Sequence, residues 1–374
     1  MKCTVLFFVL ILCFLPGCGS ESEEAAESSE TYEDFRTLAV VDSIGIEMGD
    51  SSYVLGAIEG VAHDQYGSIL VLDRSAACIK VYDREGNFLD QIGRRGSAPG
   101  EMENPISFAV LGDGRICVID PWRGGFLTYN PDYSFEGLKV QMTNNTPALM
   151  TGLNDSGFVA GQVGYENDDG AILAHVKMLR YDLQPEPSHI YMENSFVVDF
   201  MDLGNTLEKT LFWGSFTGDR HGNVYFALME PDKYEIIGIR QDGTQFMSAS
   251  HSIEEVEKTA SEMADEEAYV LAKLRGWNAN WGIEQYTPQP MRNQVRQLGV
   301  DGEGRLWALR GTREDPTFDV FDSETGDFLF TAVLPEIGYR GLFLNFTVDE
   351  GGILAYSENP LDYPKVYIVE LQED

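Results

Sequence analysis

The chain has 374 residues, 43% of them hydrophobic, and carries 61 acidic against 26 basic residues, so its formal net charge at pH 7 is −35. This charge repels nucleic acids and anionic lipid surfaces, which excludes functions that depend on binding either one. Five cysteines in a chain of this length exclude a small fold held together by disulfides.

The amino terminus has the pattern of a secretion signal. Lys2 precedes an apolar run from Val5 to Phe14, which is too short to span a bilayer. The run leads into the tetrapeptide LPGC at 15–18, which resembles a bacterial lipobox. The resemblance implies that residues 1–17 are a signal peptide, cleaved before Cys18, and that the Cys18 thiol is acylated. An ordinary secretory signal is the alternative.

Residues 18–34 have the composition of a flexible acidic tether. Glutamates and serines dominate this stretch, and such a segment cannot bury enough apolar surface to order itself. Gly19 after the cysteine is similar to lipoproteins that are sorted to the outer membrane. We therefore expect a lipid-anchored protein of the bacterial cell envelope, on the periplasmic or extracellular side, with the outer membrane favoured.

One short motif recurs six times: an acidic or polar turn, a glycine, then an apolar strand. The copies are DQYGSILVLD at Gly67, LGDGRICVID at Gly114, NDSGFVAG at Gly157, DRHGNVYFAL at Gly222, DGEGRLWALR at Gly304 and DEGGILAYSE at Gly352. A repeat at about the length of one small β-sheet predicts a ring or stack of sheets.

Each repeat is predicted to be a four-stranded antiparallel meander. In the first copy the predicted strands are Ile58–His63, Ser68–Asp73, Ile79–Asp83 and Phe88–Ile92. Six such sheets form an all-β, six-bladed β-propeller, which we predict for residues 35–374. The last copy ends with a third strand at Lys365–Leu371. We expect Arg36–Glu47 to complete it as the outer strand and so to join the two chain ends.

A glycine- and proline-rich segment, GRRGSAPGEMENP at 93–105, carries a family resemblance. It is similar to the link between the first two blades of NHL-repeat and TolB-like propellers, in particular the bacterial propeller lipoproteins. Strands that end in Asp73 and Asp120 also fit this group. The resemblance covers residues 36–374. It implies the fold and the location in the envelope, and no agreed activity.

A helical insertion is predicted at residues 252–291. Ser252 and Glu255 match a capping box, apolar residues recur at helical spacing as far as Leu274, and Gly276 ends the pattern. We expect its apolar stripe to pack on the side or rim of the ring. A lid over the central channel, or a helix that docks a partner, is the alternative.

The predicted topology places two kinds of turn on opposite faces of the ring. The glycine turns lie on one face, and the links between second and third strands lie on the other, together with the links between blades. On this second face we predict a ligand- or partner-binding group made of Arg74, Arg94, Arg95, Trp122, Arg123, Glu230, Arg310 and Arg313. Arginine beside an exposed tryptophan suits carboxylates, sugars or a protein partner. Pairing of these arginines with neighbouring acids is the alternative.

No catalytic residue is predicted, because motifs for zinc, phosphate loops and nucleophile elbows are absent from the sequence. A non-catalytic binding platform for a protein partner or a small polar ligand is therefore expected. The alternative is a calcium-dependent lactonase or gluconolactonase-like hydrolase. Glu59-Gly60-Val61 is similar to the glutamate-glycine-proline start of that family, which makes Glu59 the candidate calcium ligand. No other cofactor is expected.

Acidic residues recur three positions before the turn glycines, at Asp64, Asp219, Asp301 and Asp349. We expect these side chains to bond the backbone of their own turns rather than calcium. Cys78 and Cys117 each lie in a predicted strand. The sequence leaves two possibilities for this pair, namely two buried free thiols or a disulfide.

Overall fold

The structure is a computed structural model. It describes residues 34–141, 147–153, 157–184, 186–202, 204, 206, 209–210, 213–277, 285–311, 315–338, 343–358 and 360–372. Within these residues the chain is an all-β propeller with four four-stranded antiparallel sheets, one eight-stranded sheet and a long α-helix. The predicted signal peptide, the tether as far as residue 33, Cys18 and Arg313 lie outside the described residues.

Strand β1 spans Phe35–Ile44, and the next sixteen strands form four separate sheets, each in chain order. The first sheet contains β2 (Ile58–His63), β3 (Ile69–Asp73), β4 (Cys78–Tyr82) and β5 (Phe88–Ile92). The second contains β6 (Ser107–Val110), β7 (Ile116–Asp120), β8 (Gly125–Tyr129) and β9 (Phe135–Gln141). The third contains β10 (Leu149–Gly152), β11 (Phe158–Asp168), β12 (Ala171–Tyr181) and β13 (His189–Val197). The fourth contains β14 (Gly214–Gly218), β15 (Val224–Leu228), β16 (Glu235–Ile239) and β17 (Gln245–Ser250).

The remaining strands form one eight-stranded sheet that also takes in β1. They are β18 (Val295–Val300), β19 (Arg305–Arg310), β20 (Thr317–Asp322), β21 (Phe328–Val333), β22 (Leu344–Asp349), β23 (Gly352–Ser357) and β24 (Val366–Leu371). Strand β1 lies between β21 and β24. It pairs antiparallel with β24, from Leu38 opposite Leu371 to Ile44 opposite Val366, and three of its residues pair parallel with β21.

The position of a strand within its sheet decides its burial pattern. In the first sheet, all five residues of β3 and all five of β4 are buried, because neighbouring sheets cover both faces. The outer strand β5 exposes three consecutive residues, Leu89 to Gln91. The middle strands therefore appear in the sequence as unbroken apolar runs, which are the recurrent part of the motif.

The core consists of six hydrophobic clusters within the described residues, each shared by two groups of strands that follow one another. One cluster packs Leu354 and Val366, near the end of the chain, against Ile58 and Val71 of the first sheet. Another fills the space between the two halves of the eight-stranded sheet, around Trp307. Apolar burial is thus continuous from each group of strands to the next.

The glycine turns have the predicted chemistry. Gly67, Gly114, Gly222 and Gly304 have φ between +77° and +81°, a region in which a side chain is strained. In three of these turns the aspartate three residues earlier accepts two backbone N–H bonds from its own turn, through Oδ1 of Asp64, Asp219 and Asp301. The prediction that these carboxylates bond their own backbone is confirmed.

The predicted start of the helix is wrong. Helix α1 spans Ala260–Trp277 rather than beginning at Ser252. Thr259 caps it: its Oγ1 accepts from the Glu262 N–H (3.2 Å), while the Glu262 carboxylate accepts from the Thr259 N–H (2.8 Å). Residues 252–259 are not helical, because Glu257 forms a β-bridge with Met291.

Cys78 and Cys117 are free and buried in β4 and β7. Burial raises the pKa of the Cys78 thiol to about 11 and raises that of Cys117 further still. Both thiols therefore act as small apolar core residues. Within the described part of the chain, no helix is long and apolar enough to cross a bilayer.

Candidate functional site

The first strands of the sheets surround a central channel. It has a volume of about 2020 Å³ and is lined by β2, β6, β10, β14, β18 and β22. Phe108, Phe216 and Phe346, from three of these strands, contribute to its wall. The volume exceeds the roughly 300–1,000 Å³ of an ordinary small-molecule pocket, so a ligand of that class would occupy only part of it.

The wall of this channel is predominantly acidic. Among the residues that the structure describes, thirteen acidic and five basic side chains line it. Three of the five basic groups already bond carboxylates: Arg74 bonds Glu59, Lys258 bonds Glu266, and Arg292 bonds Glu262. The potential in the channel therefore favours cations over anions.

The glycine-turn end of the channel carries most of this acidity. Its acidic residues are Asp64, Asp219, Asp301, Glu303, Asp322, Glu324, Asp349 and Glu350. A histidine lies among them, in β2: His63 Nδ1 is 2.6 Å from Asp349 Oδ1, and the His63 N–H donates to Asp349 Oδ2 (2.9 Å). This pair connects the first sheet to β22 and leaves little room at Gly351, whose backbone lies against the imidazole ring.

Helix α1 contributes to the opposite end of the channel. Glu262, Asp265, Glu266, Tyr269 and Ala272 of the helix all line the channel. The helix therefore borders this end of the channel, a position that fits both the predicted packing on the rim of the ring and the alternative of a lid.

Two partly buried ion pairs hold the helix to the residues that flank it in the chain. Glu262 Oε1 accepts from Arg292 Nη2 (2.6 Å), and Glu266 Oε2 accepts from Lys258 Nζ (2.7 Å). The other oxygen of Glu266 accepts from the Tyr286 hydroxyl (2.8 Å). Loss of one partner from a desolvated ion pair lowers the free energy of unfolding by more than the intact pair adds to it. These contacts therefore fix the position of the helix.

A polar pocket lies beside the helix, where β2 and β22 begin and β23 ends. We call it the Glu59–Glu358 pocket and define it by Glu59, Tyr269, Asn345, Tyr356 and Glu358, all of which line the channel. Glu358 accepts hydrogen bonds from the Tyr269 hydroxyl and from Asn345 Nδ2. Glu59 Oε1 accepts from Arg74 Nη1 (2.9 Å), and Arg74 Nε donates to Asn104 (2.9 Å).

The two tyrosines of this pocket are held protonated. Burial is the main cause that raises the pKa of both Tyr269 and Tyr356, and the charges of Glu358 and Glu59 raise it further. Both hydroxyls are therefore neutral hydrogen-bonding groups at any physiological pH.

The structure brings part of the predicted arginine group together, because Arg95 Nη2 donates to the Arg74 carbonyl (3.3 Å) and Arg123 Nη1 donates to the Gly96 carbonyl beside Arg95 (3.3 Å). Of its described members only Arg74 lines the channel. Arg94 pairs with Glu101, and Arg310 pairs with the buried Asp319. Arg95 and Arg123 donate to backbone carbonyls, of which the Gly96 carbonyl is one. Pairing with neighbouring acids, the alternative, therefore describes Arg94 and Arg310, whereas Arg95 and Arg123 bond carbonyl oxygens.

Two other predicted members differ from these arginines. The Glu230 carbonyl accepts from the Gln294 N–H (2.8 Å), which is a backbone contact between the fourth sheet and the approach to β18. Trp122 is 70% exposed in the link after β7. Trp122 is thus an exposed aromatic side chain on the face where a protein partner is predicted. The partner itself stays a prediction.

Sequence reasoning missed the pocket tyrosines. Tyr356 sits inside the apolar run after Gly352, and Tyr269 sits inside the helical pattern, so both were indistinguishable from core residues. Glu59 was identified as a candidate calcium ligand. Its carboxylate bonds Arg74, and among the described residues no three His, Cys, Asp or Glu side chains form a group that could hold a metal ion. The assignment of Glu59 as a calcium ligand stays a prediction.

Comparisons with known proteins support the propeller fold. Residues 31–152 match the sequence model of the DUF5128 family, described as a 6-bladed beta-propeller. A member of the DUF4221 family from Bacteroides vulgatus shares the fold, with a TM-score of 0.50 at 7% identity over 90% of this chain and 98% of that one. No curated protein sequence matches the chain.

Two further solved structures resemble the chain more loosely. A Bacteroides fragilis protein whose name classes it as exported has a TM-score of 0.49 at 14% identity, over 91% of this chain and all of its own. A gluconolactonase from Xanthomonas campestris has a TM-score of 0.34 at 13% identity, over 85% of this chain and 87% of its own. At such identities the likeness concerns the fold and no activity.

Proposed function

We propose that this protein is a lipid-anchored, six-bladed propeller of the bacterial cell envelope that binds a small polar ligand in its central channel without catalysis. In this proposal the eight-stranded sheet counts as two blades. One consists of β18 to β21, and the other consists of β22 to β24 completed by β1. The NHL-repeat and TolB-like resemblance belongs to the same proposal.

The packing supports six blades in a closed ring. Six clusters of core residues lie between neighbouring groups of four strands. The cluster that contains Leu354 and Val366 packs the group of β22, β23, β24 and β1 against the first sheet. Two contacts on the channel wall cross the same boundary: His63 with Asp349, and the Thr347 hydroxyl with the Val61 carbonyl (2.9 Å). A closed ring has no open sheet edge at which another chain could pair.

The channel carries the binding part of the proposal. It combines a large volume, apolar side chains from the inner strands and a polar pocket beside a fixed helix, which is the usual make-up of a ligand site. Location in the envelope rests on the lipobox-like LPGC at 15–18 and on the acidic, serine-rich stretch after it. The lipid anchor at Cys18 holds the propeller near a membrane in this proposal.

Thermal unfolding of the purified protein with a panel of anionic, neutral and cationic small molecules tests the proposed function. A ligand at one hundred times its Kd adds about 2.7 kcal/mol to the free energy of unfolding, so we expect a rise in Tm of about 3–5 °C with at least one class. Ser215→Trp, which places an indole on the channel wall, should remove the rise. The matched Ser97→Trp change at an exposed position should not. If no class of ligand raises Tm, there is no channel-binding function.

The same measurement distinguishes the calcium-dependent lactonase alternative from the binding proposal. Calcium and a chelator belong in the panel, because a structural calcium ion would raise Tm when added and lower it when removed. A large calcium effect that depends on Glu59 would favour the hydrolase. Under the binding proposal we expect Tm to change by less than about 1 °C with either reagent.

A further inference from the structure

The β11–β12 hairpin extends past the inner strand of its sheet, at the end of the channel that helix α1 borders. Strand β11 spans Phe158–Asp168 and pairs with β12 along its full length, whereas β10 pairs only with Phe158–Gly161. Residues 162–168 therefore have no partner in β10. Because β11 runs away from the glycine turn at Gly157, its extension lies at the helix end of the channel.

Aromatic and apolar side chains form the channel wall at this extension. Tyr165 of β11 lines the channel and is 49% exposed. Trp213, just before β14, also lines the channel, and its ring packs on that of Phe226 with the centroids 5.1 Å apart. Leu149 of β10 lines the channel and is 55% exposed. We call Leu149, Tyr165 and Trp213 the aromatic wall. Apolar side chains that stay accessible inside a concave site favour contact with a ligand.

The other side of the channel is polar at the same end. In the six-bladed ring proposed above, the third and fourth sheets lie across the channel from the strands that carry the Glu59–Glu358 pocket. There the Gln297 amide donates to Asn345 Oδ1 (2.6 Å), and the Asn345 amide donates to Glu358 Oε1 (3.0 Å). Gln297 Oε1 accepts from the Phe346 N–H (2.8 Å). These bonds hold the amides in place before a ligand arrives.

This polar wall offers donors and acceptors side by side. An amide side chain can make about four hydrogen bonds, and the Asn345 amide makes two within the described residues. Ion pairs lie at the same end, namely Arg74 with Glu59, Lys258 with Glu266 and Arg292 with Glu262. An ammonium can only donate and a carboxylate can only accept, whereas a hydroxyl does both. A ligand rich in hydroxyl groups therefore uses both kinds of partner.

We propose that the channel binds a neutral oligosaccharide at its helix end. The C–H face of a sugar ring lies against Tyr165 and Trp213, and its hydroxyl groups bond the amides of Gln297 and Asn345. The acidic glycine-turn end repels anionic sugars. A chain of sugar units also matches the volume of about 2020 Å³ better than a single unit does. This inference rests on the proposed ligand-binding function and names the chemical class of the ligand.

Calorimetric titration with trisaccharides tests the inference. The neutral probes are cellotriose, maltotriose and xylotriose, and the charged probes are the cationic trimer of glucosamine and the anionic trimer of galacturonate. We expect at least one neutral trisaccharide to bind, and neither charged trimer to bind more tightly. Because no ion pair forms with a neutral sugar, its Kd should change by less than about twofold between roughly 0.05 and 0.5 M salt.

Variants of the two walls test the proposed position of the sugar. Tyr165→Ala should weaken binding about tenfold, because a sugar face loses its aromatic contact, whereas Tyr165→Phe keeps the ring and should stay within about twofold of the unaltered protein. Asn345→Ala removes a hydrogen-bonding amide and should weaken binding about fivefold or more. Trp122→Ala is the matched control, because it also removes an exposed aromatic side chain but from a residue that does not line the channel.

Binding of the charged trimers alone, or of no trisaccharide, would overturn the inference. So would a Tyr165→Ala variant that folds and binds a neutral trisaccharide as tightly as the unaltered protein. Stabilisation by another class of ligand in the thermal panel would then leave the proposed function intact. If no trisaccharide binds and no ligand of the panel raises Tm, both the inference and the proposed function are wrong.

Discussion

The aspartates of the glycine turns use their two oxygens for different partners. Oδ1 accepts from the backbone of the turn, while Oδ2 accepts from an aromatic side chain. The Oδ2 donors are the Tyr133 hydroxyl for Asp64, the Tyr225 hydroxyl for Asp219 and the Trp307 indole N–H for Asp301. A single carboxylate therefore shapes the turn and also satisfies a polar atom of a core aromatic.

Asp301→Ala should destabilise the protein by about 2–3 kcal/mol. The substitution leaves the Trp307 indole N–H without its acceptor inside a fully buried side chain, and it removes two backbone bonds of the turn. Urea unfolding measures the loss. Asp242→Ala is the matched control, because Asp242 shapes an exposed turn and accepts from Thr244 only. Equal losses in the two variants would show that the aromatic bond contributes nothing.

At the same scale, the roles of the arginines could not be predicted from the sequence. Arg74 and Arg95 both belong to the second-face links, and nothing local distinguishes them. Arg74 lines the channel because its guanidinium donates a hydrogen bond to Glu59 of β2. The Arg95 guanidinium instead donates to the backbone carbonyls of Arg74 and Ser75. Such partners are distant in sequence and are determined only by the assembled sheets.

The segment before helix α1 shows how sequence-distant pairing overrides a local signal. Ser252 and Glu255 match a capping box in sequence. The chain instead pairs with extended residues that follow helix α1. The Arg292 N–H donates to the Val256 carbonyl and the Lys258 N–H donates to the Pro290 carbonyl, both at 2.8 Å. The same capping-box chemistry then appears seven residues later, at Thr259 and Glu262.

Thr259→Ala should weaken the start of helix α1 by about 1 kcal/mol, while Ser252→Ala should have no effect. Thr259 accepts the Glu262 N–H, whereas Ser252 is exposed in a non-helical segment. Hydrogen exchange of the first-turn amides measures the difference, which should be about fivefold in rate for Thr259→Ala. Faster exchange in Ser252→Ala would mean that the helix extends further towards the amino terminus than the structure shows.

For the whole molecule, the pairing of β1 is the contact on which ring closure depends. Removal of residues 34–48 would leave the edges of β24 and β21 without a partner. It would also remove the core side chains Leu38 and Ile44, so that water would reach the apolar residues packed against them. We therefore expect a chain that starts at residue 49 to lose its single cooperative melting transition. A chain that starts at residue 34 should keep it. Unchanged melting of the shorter chain would contradict a structural role for β1.

Much of the architecture could be predicted because its signals are local. The glycine turns and the buried middle strands rest on residues that are neighbours in the chain, so β2 to β5 lie within a residue or two of their predicted bounds. The channel lining could not be predicted in this way. Tyr269, Tyr356 and Glu59 meet only because a helix and two sheets converge, and the sequence separates Glu59 from Tyr356 by almost the whole ring.

The partnership of β1 with β24 also sets an order of events in time. During synthesis β1 emerges well before its antiparallel partner β24, so the edge of β1 that pairs with β24 stays unsatisfied until β24 is available. Closure between such distant segments is slow, and an incomplete ring is prone to aggregate. A folding helper that shields the waiting edge would therefore act mainly before the carboxyl-terminal strand arrives.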